Sequence, residues 1–138
     1  MIFNLKFIKV KEIIKLKEFK YRLECVKYTL NHKRAFLKVE KKLLGKNTLK
    51  GYLHDIDKVL MYPIFGKEIT SRYHRRNRAH HVESNKYKTK KDFIESVIDW
   101  ECARYTKPDK PLNARETLYK FYPEYKNIYL PIIEELGL

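Results

Sequence analysis

The run Tyr52-Leu53-His54-Asp55-Ile56-Asp57-Lys58 holds the residues best suited to chemistry. An imidazole beside a carboxylate can place a nitrogen and an oxygen on one metal ion. Lys58 follows Asp55 by three residues and His54 by four, so on a helix all three share an edge. Standing alone, the same trio would be an ordinary ion pair on a helix surface.

A second concentration lies between Tyr73 and Glu83. His74, His80 and His81 are three of the five histidines in the chain, and Arg75, Arg76 and Arg78 run between them. The segment has almost no apolar face, so packing explains it poorly. It reads as a basic nucleic-acid-binding loop or as a metal and phosphate loop. Clustered imidazoles favour the second, with neutral histidines as nitrogen ligands and arginines as bidentate phosphate donors. Two further residues stay open on their own sequence context. His32 falls inside a helical pattern, where a histidine is usually exposed or satisfied. Asp99 stands among Phe93, Ile94, Val97, Ile98 and Trp100. There it either faces solvent or needs a partner, because burying a lone charge is costly.

The elements that must position these residues read as helices. Ile2 to Leu16 carries Phe3, Phe7, Val10 and Ile14 at near-helical spacing, with lysines between them. It suits a first helix packed on the domain, or a basic amphipathic helix lying on a membrane. The alternation Phe3-Leu5-Phe7 also allows a short strand. Tyr21 to Leu44 predicts one long helix stopped by Gly45, with Leu23, Val26, Leu30, Val39 and Leu43 as its apolar stripe. Asn47 or Thr48 caps a helix running through His54-Asp55 to about Met61, buried through Leu49, Leu53, Ile56 and Leu60. Pro63 and Gly66 end that helix, and a short one covers Lys67 to Tyr73. Thr89 and Asp92 resemble a capping box before a helix containing Asp99. Arg115 to Phe121 and Tyr125 to Leu136 close the chain, with Leu118, Phe121, Ile128, Leu130, Ile132, Ile133 and Leu136 in the core. The expectation is an all-α, compact bundle of about six to seven helices. It forms a single domain over 1–138, made of an N-terminal amphipathic segment (1–20), a metal-site core (21–107) and closing helices (108–138).

The totals bound the function. With 138 residues and 43% hydrophobic content, the chain can bury one real core. Thirty-one Lys and Arg against 17 Asp and Glu give +14. That field attracts nucleic acid, nucleotides or an anionic membrane, unless it is only a solvated lysine-rich surface. Cys25 and Cys102 lack metal-knuckle spacing and read as buried thiols. Lys6 and Lys9 interrupt the apolar start and no cleavage site follows, so no signal peptide is expected. No run reaches transmembrane length, and a cytoplasmic protein is the default.

Taken in order, His32, His54-Asp55 and Asp99 resemble the HD superfamily of metal-dependent phosphohydrolases. The resemblance covers about His32 to Trp100, and His54 to Lys58 looks like that family's His-Asp-x-x-Lys run. The chain is similar, more closely, to a group of small HD-like proteins of unknown function. In those, a Tyr-x-x-His-like segment ending in His-His precedes an Asp-Trp pair, as Tyr73 to His81 precede Asp99-Trp100 here. The resemblance implies a divalent ion held by His32, His54, Asp55 and Asp99. Mixed N/O ligation suits Mn, Fe, Co, Ni or Zn. His74, His80 and His81 would add a second ion, with Asp55 as the bridge. Asp55 and Lys58 would be the catalytic pair, the lysine stabilising charge on a phosphoryl group. Arg75, Asn77 and Arg78, with Arg76 nearby, would hold a phosphorylated small molecule such as a nucleotide. Glu95 and Glu83 would orient histidines.

Two other function classes remain. One is a nucleic-acid-binding protein or nuclease, since Leu53 to Asp57 faintly resembles His-Asn-His nucleases, which need a strand-strand-helix unit. The other is an HD-like module that holds metal without catalysis.

Overall fold

Neither glycine nor proline occurs before Gly45, and nothing in the Lys- and Glu-rich stretch between interrupts a helix. The computed structural model describes residues 2–138, with side chains from Asn4 onward, so the expected role of Phe3 lies outside the described residues. Its first element, α1, is one unbroken helix over Ile2–Leu44, 43 residues long, or about 65 Å at 1.5 Å per residue. The two helices expected before and after residue 20 are therefore one. Gly45 ends it at φ 75°, a left-handed conformation that glycine adopts without penalty.

The rest is also helical. The elements are α2 (Leu49–Leu53), α3 (Ile56–Asn77), α4 (Lys90–Thr106), α5 (Ala114–Phe121), a 3-10 turn (Pro123–Tyr125) and α6 (Lys126–Glu135). Among the described residues there is no strand. The short strand at Phe3 to Phe7 does not form, and the strand-strand-helix scaffold of the nuclease reading is missing. Among the described residues no helix is long and apolar enough to cross a membrane.

Two expected boundaries change. The helix expected to run through His54-Asp55 breaks there instead. His54 leaves the helical region (φ −54°, ψ 128°) and Asp55 is left-handed at φ 57°. Aspartate tolerates this conformation better than most residues, at a cost of roughly 1–2 kcal/mol. The helix expected to end at Pro63 and Gly66 continues with a kink at Gly66 (φ 75°, ψ 179°) and runs on to Asn77. His74 is thus helical rather than on a loop.

Each irregularity frees backbone groups that must find partners, and α1 supplies them. The Glu40 carboxylate accepts from the Thr48 backbone N–H and hydroxyl at the start of α2. It lies so close to Gly51 that a Cβ there would collide with it. Lys33 donates to the carbonyls of Tyr52 and His54 at the end of α2. Arg22 Nη1 donates to the carbonyls of Pro63 and Ile64 at the kink, at 3.1 and 2.9 Å.

α1 packs on α3 and α4, and α4 packs on α5 and α6. One buried cluster joins Phe36 and Val39 of α1 to Ile98 and Cys102 of α4. A larger one joins Val97, Ala114, Leu118, Tyr129, Ile132 and Ile133. Both cysteines are free, Cys102 buried and Cys25 half-buried. The N-terminal half of α1 does not pack on the domain as expected: every residue from Asn4 to Tyr21 is exposed. Leu49, Leu53 and Leu60, expected on one buried face of a single helix, lie on two helices separated by the break at Asp55 and are exposed. Phe121 and Ile128, expected to close the core, are exposed as well.

Truncation should read out this division. Leu118→Ala should cost about 2–5 kcal/mol as a core cavity, seen as a lower urea midpoint. Phe7→Ala should leave that midpoint within about 0.5 kcal/mol of the parent.

Candidate metal centre

Four separate pieces of chain bring imidazoles and carboxylates to one place. α1 contributes His32. The break between α2 and α3 contributes His54 and Asp55, and the first turn of α3 adds Asp57 and Lys58. The far half of α3 contributes His74, and the turn after it His80 and His81. α4 contributes Glu95 and Asp99, four residues apart on one face. The turn holding His80 and His81 is fixed by Lys88, which donates to the carbonyls of Ala79 and His81, and by Ser96, which donates to that of His80.

The outer nitrogens of three histidines are already engaged. Glu95 Oε1 lies 3.0 Å from His54 Nδ1 and 3.2 Å from His80 Nδ1. Asp57 accepts from His74 Nδ1 at 2.9 Å and from Arg78 Nε at 2.9 Å. Carboxylates at Nδ1 fix each ring with that proton outward and the Nε2 lone pair inward. The inward nitrogens converge on Asp55. Its Oδ1 lies 3.0 Å from His74 Nε2, 3.7 Å from His54 Nε2 and 4.0 Å from His80 Nε2. Its Oδ2 accepts from Lys58 Nζ at 2.9 Å. On the other side, Asp99 Oδ1 lies 2.7 Å from His32 Nε2 and 3.3 Å from His54 Nε2.

Five atoms at this centre are buried and lack any hydrogen-bond partner: Nε2 of His54, His74, His80 and His81, and Oδ1 of Asp55. A buried polar atom without a partner costs about 1–3 kcal/mol, so five together mark a centre that could hold a cation. The sets His32-His54-Asp55, His54-His80-Asp99 and His74-His80-His81 each present ligand atoms within 4.8 Å of one another. The donor set fits a divalent ion, and His80 belongs to two of the three groups. Cys102 adjoins His32 and Asp99, but its thiol donates to the Asp99 carbonyl. Burial and the Asp99 charge push that thiol up, which makes it a poor ligand beside the imidazoles.

The electrostatics follow from the same crowding. Burial favours the neutral form of His54, but Asp55, Asp99 and Glu95 outweigh it and raise the imidazole to about 10. His81 has no such partners; burial and the neighbouring His80 push it down to about 2. Burial lowers His80 as well, against Glu95. Asp55 and Asp99 resist burial and stay well below the usual carboxylate range because of the histidines around them. For Lys58, burial works against the charge, yet Asp55 and Asp99 keep it raised and positive.

The sequence-derived ligand candidates His32, His54, Asp55, Asp99, His74, His80 and His81 are therefore all brought together, with Lys58 beside them. Glu95 orients two histidines, as expected. Glu83 instead accepts from the Tyr122 hydroxyl at 3.3 Å. Arg75 and Arg76 are exposed, and Arg75 lies with Lys67 and Arg72 in a surface groove along α3. The Asn77 amide donates to the Tyr73 carbonyl. Of the expected substrate-binding residues Arg75, Asn77 and Arg78, only Arg78 reaches the centre, where it holds Asp57. Asp57 and Lys50 were missed by the sequence reading. Lys50 Nζ sits 3.1 Å from Glu95 Oε2 and steadies the carboxylate shared by His54 and His80. The one sequence signal for Asp57 was its place two residues after Asp55. Comparison with protein-family models, curated proteins and solved structures finds no match.

Two measurements check this centre. Glu95→Gln should weaken divalent-metal binding about 10–100-fold in calorimetric titration, because both rings lose the acceptor that orients them. In chelator-treated protein, His54 is raised in the folded state above its unfolded value of about 6.5. Its contribution to stability should be complete below that pH and lost as the pH climbs to about 10. The urea midpoint of the metal-free protein should fall across this window, and that of His54→Gln should not show this fall.

Proposed function

We propose that this chain is a metal-dependent phosphohydrolase acting on a nucleotide or similar phosphate ester. The observation that carries the reading is the set of five orphaned, buried ligand atoms facing one point, with a charged lysine at its edge. The resemblance of the His32, His54-Asp55 and Asp99 order to the HD superfamily agrees with it.

His32, His54, Asp55 and Asp99 would hold one divalent ion, and His74, His80 and His81 with Asp55 a second. A bound ion of this kind would supply Lewis acidity and lower the pKa of a bound water to about 7. The chain's own residues do the rest. Asp55 Oδ1, common to the two sets, fixes their separation. The side chains of Lys58 and Asp99 are 20% and 17% exposed, against 2% for Asp55, so substrate approaches on the side they occupy. There the Lys58 ammonium, kept charged by Asp55, stands where negative charge develops on a phosphoryl oxygen. Glu95 and Asp57 keep the imidazole lone pairs directed inward while substrate exchanges.

Protein purified without chelators should release phosphate from an activated phosphate ester. Asp55→Ala should lose both bound metal and turnover. Lys58→Ala should keep its metal and lose about 10²–10³ in kcat. Unchanged metal content in both His54→Ala and Asp55→Ala would remove the site. Tight metal binding with no ester cleaved would leave a module that holds metal without catalysis.

A further inference from the structure

A groove of about 650 Å³ runs along α1 on the flank next to the metal centre. Its wall carries Arg34, Lys38 and Lys42, and Tyr28, Tyr105 and Thr106 stand at its other positions. No Asp or Glu lines it, and among the described residues none of the three cations is joined to a carboxylate in an ion pair. Arg34 meets only the side-chain oxygen of Asn31, at 3.4 Å. The groove touches the ligand set. Tyr28 lies parallel to the His32 ring at 6.4 Å between centroids, and the Thr106 hydroxyl is 3.1 Å from His32 Nδ1.

The cations recur every fourth residue on one helix, so they stand about 6 Å apart along its axis at growing distances from His32. One phosphate ester does not need three such charges in a row. A chain of phosphates does, because its charges also repeat at intervals of a few ångströms. Tyr28 and Tyr105 are 44% and 64% exposed, which leaves ring surface on which unpaired bases can stack. A duplex keeps its bases stacked on each other and gains nothing from those rings.

We infer that this groove binds a short single-stranded oligonucleotide and directs its terminal phosphate to the metal centre. The binding stands on the groove alone; the delivery of a scissile phosphate rests on the hydrolase reading above. Cleavage at that end breaks the ester P–O bond. The water oxygen stays on the released inorganic phosphate, and a water proton passes to the strand's departing oxygen.

The test is fluorescence anisotropy with a labelled, terminally phosphorylated oligothymidylate of about six nucleotides, a length within the range such sites cover. With three phosphates neutralised, log K should fall with log[salt] at a slope of about −2. The triple variant Arg34→Ala/Lys38→Ala/Lys42→Ala should bind at least about tenfold more weakly at 0.1 M salt, with a slope near zero. Tyr105→Ala should weaken binding about tenfold through lost stacking. Lys9→Ala/Lys15→Ala/Lys20→Ala, which removes three exposed charges elsewhere on α1, should change affinity little. Equal losses in the two triple variants, or none in the first, would overturn the groove and leave only a general positive field. Asp55→Ala separates the two readings, because it should still bind the strand while releasing no phosphate. A wild-type protein that binds the strand through these cations but never cleaves an ester keeps the groove and refutes the hydrolase. One that cleaves small esters, with strand affinity indifferent to the groove variants, does the reverse.

Discussion

Four buried imidazole nitrogens and one buried carboxylate oxygen face each other without a hydrogen-bond partner. Lone pairs so placed repel, and in a low-dielectric interior that repulsion is barely screened. The arrangement is tolerable only if positive charge sits among them. In the metal-free protein His54 supplies it by holding its proton to about pH 10. A divalent cation would replace that proton and satisfy the remaining lone pairs together. This competition couples metal affinity to pH, since each ligand must be deprotonated to bind.

The backbone around the centre is shaped by the same demand. A straight helix through residues 49 to 61 would set His54 and Asp55 about 100° apart on its surface. The break turns Asp55 into the left-handed region, and the carboxylate then reaches His74 while the imidazole reaches Glu95 and Asp99. Such strain persists only where the surroundings over-determine it. Here α1 does so, with Glu40, Lys33 and Arg22 each taking up backbone groups that the break and the kink release. α1 is therefore a spine for the irregular segment as well as the source of His32. Its first half, from Asn4 to Tyr21, takes no part in this.

The approach to the centre is asymmetric. His54, His74 and Asp55 are sealed, while Asp99 and Lys58 remain partly open. The groove that carries Arg34, Lys38 and Lys42 meets the ligand set through Tyr28 and Thr106, which border His32. Charge placed there acts on whatever approaches the metal ligands, in contrast to the lysines of the exposed first half of α1.

Residue type and spacing by themselves determined much of this. The helical class followed from scarce glycine and proline and from apolar periodicity. The candidate ligands His74, His80 and His81 stood out because packing could not explain them, whereas His32 and Asp99 became candidates only through the resemblance to the HD superfamily. The capping box of Thr89 and Asp92 was local and legible for that reason. Spacing could not show that helices expected to be separate are one, nor that a helix would break at Asp55 and run past Pro63. Those outcomes depend on Arg22, Lys33 and Glu40 arriving from distant positions to satisfy freed backbone groups. It could not show which carboxylate serves which imidazole, because Glu95 meets His54 and Asp57 meets His74 only after α1, α3 and α4 have packed. Local preference is written along the chain, whereas convergence on a point belongs to the packed helices, and this centre is made by convergence.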